Sequence, residues 1–235
     1  MSALTADEAK LAVAKAAMSE LVELPEGSII GLGTGSTAKL FIDEVGALVR
    51  AGRRLIGVPT SEASRKQAES LGIPLLSDDG PWAIEVTVDG ADEVDEALNL
   101  IKGGGAAHLR EKIVNFSSKR NLIVVDGSKL SKRLGDKWKV PVEVVTFAHA
   151  ATASHLAKLG EPTLRERGGV VVKTDAGNVI YDLKFAPSDH PEIVEAALRK
   201  IPGVVETGFF LGRADAVLVA DASGVRRLTR GAAAR

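Results

Sequence analysis

Ser28-Ile-Ile-Gly-Leu32, running on into Gly33-Thr-Gly-Ser-Thr37, is the stretch that decides the fold. A short apolar segment of β-like composition ends in a loop of glycines and hydroxyls. Phe41, Val45, Leu48 and Val49 then fall on one helical face that closes at Gly52. The order strand, loop, helix recurs outward from there. Leu55–Val58 precedes a helix from about Ser61 to Leu71, Ala83–Val88 is followed by a helix from Ala106 to about Phe116, and Leu122–Val125 is a further apolar run. Upstream, Thr5-Ala-Asp-Glu8 reads as a capping box, and Leu11, Ala14, Met18 and Leu21 carry a first helix toward Pro25. Repeated βα units predict an α/β fold with a mainly parallel sheet, whose ligands belong at the carboxyl ends of the strands.

The pattern changes after Lys129. A charged, aperiodic stretch from Lys132 to Lys139 leads to strands at Val140–Val145, Val170–Lys173 and Val179–Lys184, with helices at His149–Leu159 and Pro191–Lys200. This reads as a smaller α+β domain, residues 134–205, inserted near the C-terminus of a domain built from 1–133 and 206–235. Val204–Phe209 and Ala216–Val219 are read as strands returning to the first sheet, and Arg226–Arg235 as a polar, frayed tail.

Composition narrows the function. The 235 residues carry 30 Lys and Arg against 31 Asp and Glu, a net charge of −1 that offers no field for nucleic acid or anionic membrane. Apolar residues at 45% and charged residues at 26% are those of a globular domain. Zero cysteines exclude disulfides, thiolate catalysis and Cys-based metal sites. No run approaches the roughly 18 apolar residues that a bilayer demands, and Asp7, Glu8 and Lys10 occupy the place of a signal peptide's apolar region. A soluble, cytoplasmic protein is expected.

Four segments just beyond predicted strands carry the candidate chemistry. Thr34, Gly35, Ser36 and Thr37 join backbone N–H groups, hydroxyls and a helix N-terminus, which suits a phosphate and equally a tight turn with a helix cap. A dinucleotide fingerprint fails because Ser36 stands at its third glycine. Asp89, Gly90, Ala91, Asp92 and Glu93, extended by Asp95 and Glu96, crowd acids in a way that needs cations or hydrogen bonds for relief; a hydrated Mg²⁺ or a solvated loop would each satisfy it. Lys102, Gly103, Gly104 and Gly105 suggest close approach of a ligand to the backbone, beside a helix carrying Arg110, Glu111 and Lys112. Burial would make Glu111 a general base, whereas exposure would leave it one surface acid among basic neighbours. Asp126-Gly-Ser-Lys129 adds a cation beyond the Leu122–Val125 strand. The histidines lack metal-ligand spacing, and His108, three residues before Glu111, is the one ambiguous case.

Taken in order, Gly31–Thr37, Val88–Glu93, Lys102–Ala107 with Arg110-Glu-Lys112, and Asp126–Lys129 resemble ribose-5-phosphate isomerase of the A type. The likeness runs from about Ala6 to Gly224 and includes Pro202–Gly208. It implies interconversion of D-ribose 5-phosphate and D-ribulose 5-phosphate without metal or organic cofactor, in a cytoplasmic homodimer or dimer of dimers, on a Rossmann-like domain with the inserted α+β domain. It further implies Glu111 as proton acceptor, and Thr34–Thr37, Asp89–Asp92, Lys102–Gly105 and Lys129 as substrate-binding segments; for such a reaction the chemistry suits Lys102 to stabilising the enediolate oxygen and Asp89 to proton transfer during ring opening. His108 departs from the pattern, where an aliphatic residue is expected. A related sugar-phosphate isomerase or deaminase, a non-catalytic sugar-phosphate sensor and a Mg²⁺-dependent phosphoryl-transfer enzyme are the competing classes; a sensor has no need of Glu111.

Overall fold

A computed structural model describes residues 4–230. In chain order its first half holds α1 (Ala6–Ala17), α2 (Ser19–Val22), β1 (Ser28–Leu32), α3 (Ser36–Arg50), β2 (Leu55–Pro59), α4 (Glu62–Ser70), β3 (Ile84–Asp89), β4 (Glu93–Val94), β5 (Leu100–Ile101), α5 (His108–Phe116) and β6 (Asn121–Asp126). The second half holds β7 (Val140–Val144), α6 (His149–Leu156), β8 (Glu161–Leu164), β9 (Glu166–Arg167), β10 (Val170–Val171), β11 (Val179–Lys184), α7 (Pro191–Arg199), β12 (Val204–Thr207), β13 (Phe209–Phe210), β14 (Ala216–Asp221) and β15 (Gly224–Thr229). The chain divides into two compact units, one from Met1–Ala91, Arg110–Ser128 and Arg213–Arg235, the other from Asp92–Leu109 and Lys129–Gly212.

The first unit is a six-stranded sheet in the order β15-β14-β6-β3-β1-β2, parallel except for β15. Its parallel strands are buried along almost their whole length, as expected where helices cover a parallel sheet. Phe41, Ile30, Leu32, Val86, Val88, Leu122, Val124 and Leu218 form the core with Val13, Ala14 and Leu21 of the first helices. The Thr5 capping box closes α1, Thr5 accepting the Glu8 N–H and Glu8 the Thr5 N–H. From β1 the chain moves to β2 on one side, then returns to β3 on the other. The crevice beyond the carboxyl ends of β1 and β3 is therefore a topological switch point, the place where such sheets hold ligands.

The second unit is α+β. β12-β7-β11-β8 is an antiparallel sheet whose apolar side, Val140, Val142, Val144, Tyr181 and Leu183, is packed with Leu156, Leu198, Phe185 and Phe209. A second sheet, β13-β5-β4, joins the β4–β5 hairpin to Phe209–Phe210. That pairing is why Asp92–Leu109 belongs to this unit along with the stretch expected to form the insert.

Two expectations require correction. Val204–Thr207 pairs with β7 and Phe209–Phe210 with β5, so of the strands read as returning to the first sheet only Ala216–Asp221 does so. Arg226–Thr229 is part of β15, antiparallel to β14, instead of a frayed tail. Charge on an edge strand is a common guard against edge-to-edge pairing, and here Arg227 binds Glu20 and Arg226 binds Asp221. The rest of the expected tail, 231–235, lies outside the described residues. No helix among the described residues is long and apolar enough to cross a membrane.

Candidate active site

In the first unit, the loop after β1 is shaped by how closely it lies against β3. A Cβ on Gly31 would stand 1.8 Å from Thr87 Oγ1, and one on Gly33 2.3 Å from Asp89 Oδ1 and 2.6 Å from Asp89 Cα. These two glycines serve strand approach. Asp89 Oδ1 in turn accepts the N–H groups of Thr34 at 3.0 Å and Gly90 at 2.7 Å. The sequence-predicted Thr34, Asp89 and Gly90 are thus brought together.

Gly35 is different: its φ of +109° is accessible almost only to glycine, and the space around it is open. It caps α3 without any side-chain hydrogen bond and no acid occupies the first turn. Ser36 and Thr37 therefore open a helix whose first N–H groups have no side-chain cap, the kind of terminus that suits an anion. Beneath them lies a hydroxyl cluster that the sequence reading passed over. Thr34 Oγ1 donates to Ser61 Oγ at 2.8 Å and lies 2.7 Å from Thr60 Oγ1, while Ser64 Oγ donates to the Gly33 carbonyl at 2.6 Å. Ser61 is the N-cap of α4, and a serine at the start of that predicted helix was the available signal.

Glu111 is 3% exposed, in the first turn of α5, so it is not the exposed surface acid that the sequence left open. The preceding residue anchors the helix: Arg110 donates to Glu62 Oε1 at 2.7 Å, holding that carboxyl below its ordinary range. α5 begins at His108 instead of Ala106, whose positive φ of 65° breaks the helix.

In the second unit, the acidic segment and the glycine loop are the two ends of one hairpin. Asp92 precedes β4, Lys102–Gly105 follows β5, and the Asp92 N–H donates to the Ile101 carbonyl at 2.9 Å. Asp92 Oδ2 then accepts the Gly104 N–H at 2.7 Å. Glu93 accepts the N–H groups of Gly135 and Lys137 at 2.8 and 2.9 Å, and Asp95 accepts that of Asn99 at 2.7 Å. Backbone donors thus relieve the crowding of acids, a role that sequence spacing did not reveal.

The glycines answer first to protein neighbours. A Cβ on Gly103 would lie 2.8 Å from His108 Nδ1, and one on Gly104 2.7 Å from Asp92 Oδ1. Lys102 is buried, its N–H donating to the Gly208 carbonyl at 2.9 Å and its Nζ 5.5 Å from the centre of the Phe210 ring. Pro202–Gly208 thus contributes a strand and the acceptor that seats Lys102. Lys129 ends a 3₁₀ turn, its ammonium 5.1 Å from the centre of the Trp138 ring. His108 is fully buried, with Nε2 3.9 Å from Glu143 Oε2.

Chemically, the first unit offers a helix terminus for an anion, an oriented carboxylate and a buried carboxyl, and the second a buried lysine beside a braced glycine loop. Within the first unit, an oriented carboxylate, a buried carboxyl and an uncapped helix start are groups of the kind that proton transfer and anion binding require. The family model described as ribose 5-phosphate isomerase A (phosphoriboisomerase A) matches residues 56–224. A relative named ribose-5-phosphate isomerase A from Gloeobacter violaceus is 48% identical over 91% of this chain and 93% of its own. Another of that name, from Desulfatibacillum aliphaticivorans, is 46% identical over 92% and 96%. A solved D-ribose-5-phosphate isomerase in complex with phospho-erythronic acid superposes with a TM-score of 0.91 at 40% identity, covering 97% of this chain and 100% of that one. Ribose 5-phosphate isomerase A from Methanocaldococcus jannaschii gives 0.88 at 40% identity over 96% and 100%.

Proposed function

Because this chain belongs to the ribose 5-phosphate isomerase A family, we propose that it interconverts D-ribose 5-phosphate and D-ribulose 5-phosphate with Glu111 as the group that carries the proton. The reaction is an aldose–ketose isomerisation through an enediolate. One base must take a proton from C2 and return it to C1, and donors must meet the charge that develops on the oxygen. The observation that carries the assignment is the burial of Glu111, a carboxyl removed from water on an anchored helix.

The remaining roles follow from chemistry. Lys102 and the N–H groups of Gly103 and Gly105 face the enediolate oxygen, the Gly104 N–H being held by Asp92. Asp89, oriented by the Thr34 and Gly90 N–H groups, serves proton transfer during ring opening. The uncapped start of α3, with Thr34–Thr37, and the Lys129 ammonium take the phosphate, whose binding energy orients the reacting carbons. Gly90, Ala91 and Asp92 complete the substrate-binding segment. Phospho-erythronic acid, seen on the solved relative, has the charge distribution of such an intermediate and should compete with substrate here. The enzyme works as a cytoplasmic homodimer or dimer of dimers, which sedimentation equilibrium distinguishes.

Glu111→Gln tests the reading, since it keeps shape and hydrogen bonding while removing the basic oxygen. In a coupled assay on ribose 5-phosphate kcat should fall by at least about 10²-fold with KM little changed, and transfer of deuterium from C2 to C1 should vanish. A folded Glu111→Gln protein turning over near the parent rate refutes it.

A further inference from the structure

Arg165 lies between β8 and β9, where its backbone is locked: its N–H donates to the Ile180 carbonyl at 2.9 Å and its carbonyl accepts the Val172 N–H at 2.9 Å. Its guanidinium forks onto one carboxylate, Nε to Asp182 Oδ2 at 2.9 Å and Nη2 to Asp182 Oδ1. The remaining arm, Nη1, donates to the Gly103 carbonyl at 2.7 Å. Gly103 C=O and Gly104 N–H belong to a single peptide unit, and the Gly104 N–H is the one held by Asp92 Oδ2. Both ends of that peptide are therefore pinned, one by a cation and one by an anion. Its plane is fixed, so the directions of the flanking Lys102 and Gly105 are restricted.

We propose that Arg165, braced by Asp182, is a positioning residue for the isomerisation: it and Asp92 clamp the Gly103–Gly104 peptide and thereby aim the Lys102 side chain and the Gly103 and Gly105 N–H groups on either side of it at the sugar. The proposal rests on reading Lys102–Gly105 as a substrate-binding segment. Arg165 fits the task because a planar fork satisfies Asp182 with two N–H groups and still presents a third to a carbonyl. Lysine supplies the charge and three N–H groups, but all on one nitrogen, which cannot span both Asp182 oxygens and the Gly103 carbonyl as the three guanidinium nitrogens do. Misplacement of catalytic donors by about 1 Å is enough to cost on the order of 10²-fold in rate.

The test compares Arg165→Met, Arg165→Lys and Lys102→Met with the parent in steady-state kinetics, thermal melting and hydrogen exchange read by peptide. Arg165→Met should lower kcat/KM at least about tenfold, with Arg165→Lys recovering only part of it. Exchange should rise in the Lys102–Ala107 segment and remain at parent levels in β7 and β11. Parent-like kcat/KM in a folded Arg165→Met protein overturns the proposal. So does a loss that merely follows the folded fraction, with exchange raised throughout β7 and β11. Lys102→Met separates the two readings: if it collapses activity while Arg165→Met does not, only the positioning role falls. If Lys102→Met itself behaves as the parent, the substrate-binding reading of the loop falls, and the positioning role with it.

Discussion

Burial pushes the Glu143 carboxyl above its ordinary value of 4.5, because desolvation outweighs the hydrogen bonds from Asn178 and Thr174 while Glu206 and Asp175 add repulsion. The folded chain therefore keeps this proton to a higher pH than the unfolded chain does. The contribution to stability is fully present below the unfolded value and is lost as pH rises through the folded one. Glu143→Gln retains an oxygen for both donors and removes the titration. Its melting temperature, measured relative to the parent, should climb as pH is raised from about 4.5 and then level off. A difference independent of pH would show that Glu143 holds no shifted proton. Lys129 belongs to the same scale: it is seated against Trp138, and on the proposed role as a phosphate ligand in ground and transition states alike, Lys129→Ala should raise KM more than it lowers kcat. An unchanged KM with a large fall in kcat would place its effect on the transition state instead.

The loop between β1 and α3 shows how one element uses the same residue type for two purposes. Gly33 has no room for a Cβ because Asp89 backbone stands 2.6 Å away on a paired strand. Gly33→Ala should cost about 1–3 kcal/mol by overpacking. Gly35 has open space but a φ that other residues resist. Gly35→Ala should let the exposed loop relax, losing less stability and more substrate affinity, because the α3 N-terminus is re-aimed. Melting temperature and KM measured on both variants decide the matter: the opposite ranking would mean that Gly33 shapes the anion site and Gly35 the core. A neighbouring element carries a similar lesson. The β4–β5 hairpin sets Asp92 beside Gly104 although twelve residues separate them in sequence.

For the whole molecule, the acids from Asp89 to Asp95 act as acceptors for the protein's own backbone: Asp89 for Thr34 and Gly90, Asp92 for Gly104, Glu93 for Gly135 and Lys137, and Asp95 for Asn99. Carboxylate and ammonium groups suffice for the proton transfer proposed. Turnover should therefore be unchanged after treatment with EDTA and removal of the chelate. Activity lost in EDTA and restored by Mg²⁺ would make the acidic segment a metal site.

Local order was legible in the sequence because it is written in short-range periodicity. The Thr5 capping box, the alternation of strand and helix, and the glycine-rich turn after Leu32 each depend on residues within a few positions of one another. The motif order likewise carried the family resemblance. Strand partnership is non-local, and an apolar run such as Val204–Thr207 reads the same whichever sheet it joins; only the folded chain pairs it with β7. Arg226–Thr229 looked like a tail because an edge strand tolerates charge that a central strand would not. Burial of Glu111, and the reach of Arg165 to a carbonyl 62 residues away, were equally beyond the sequence. Periodicity fixes which face a residue occupies on its own element, but packing of distant segments decides what that face meets.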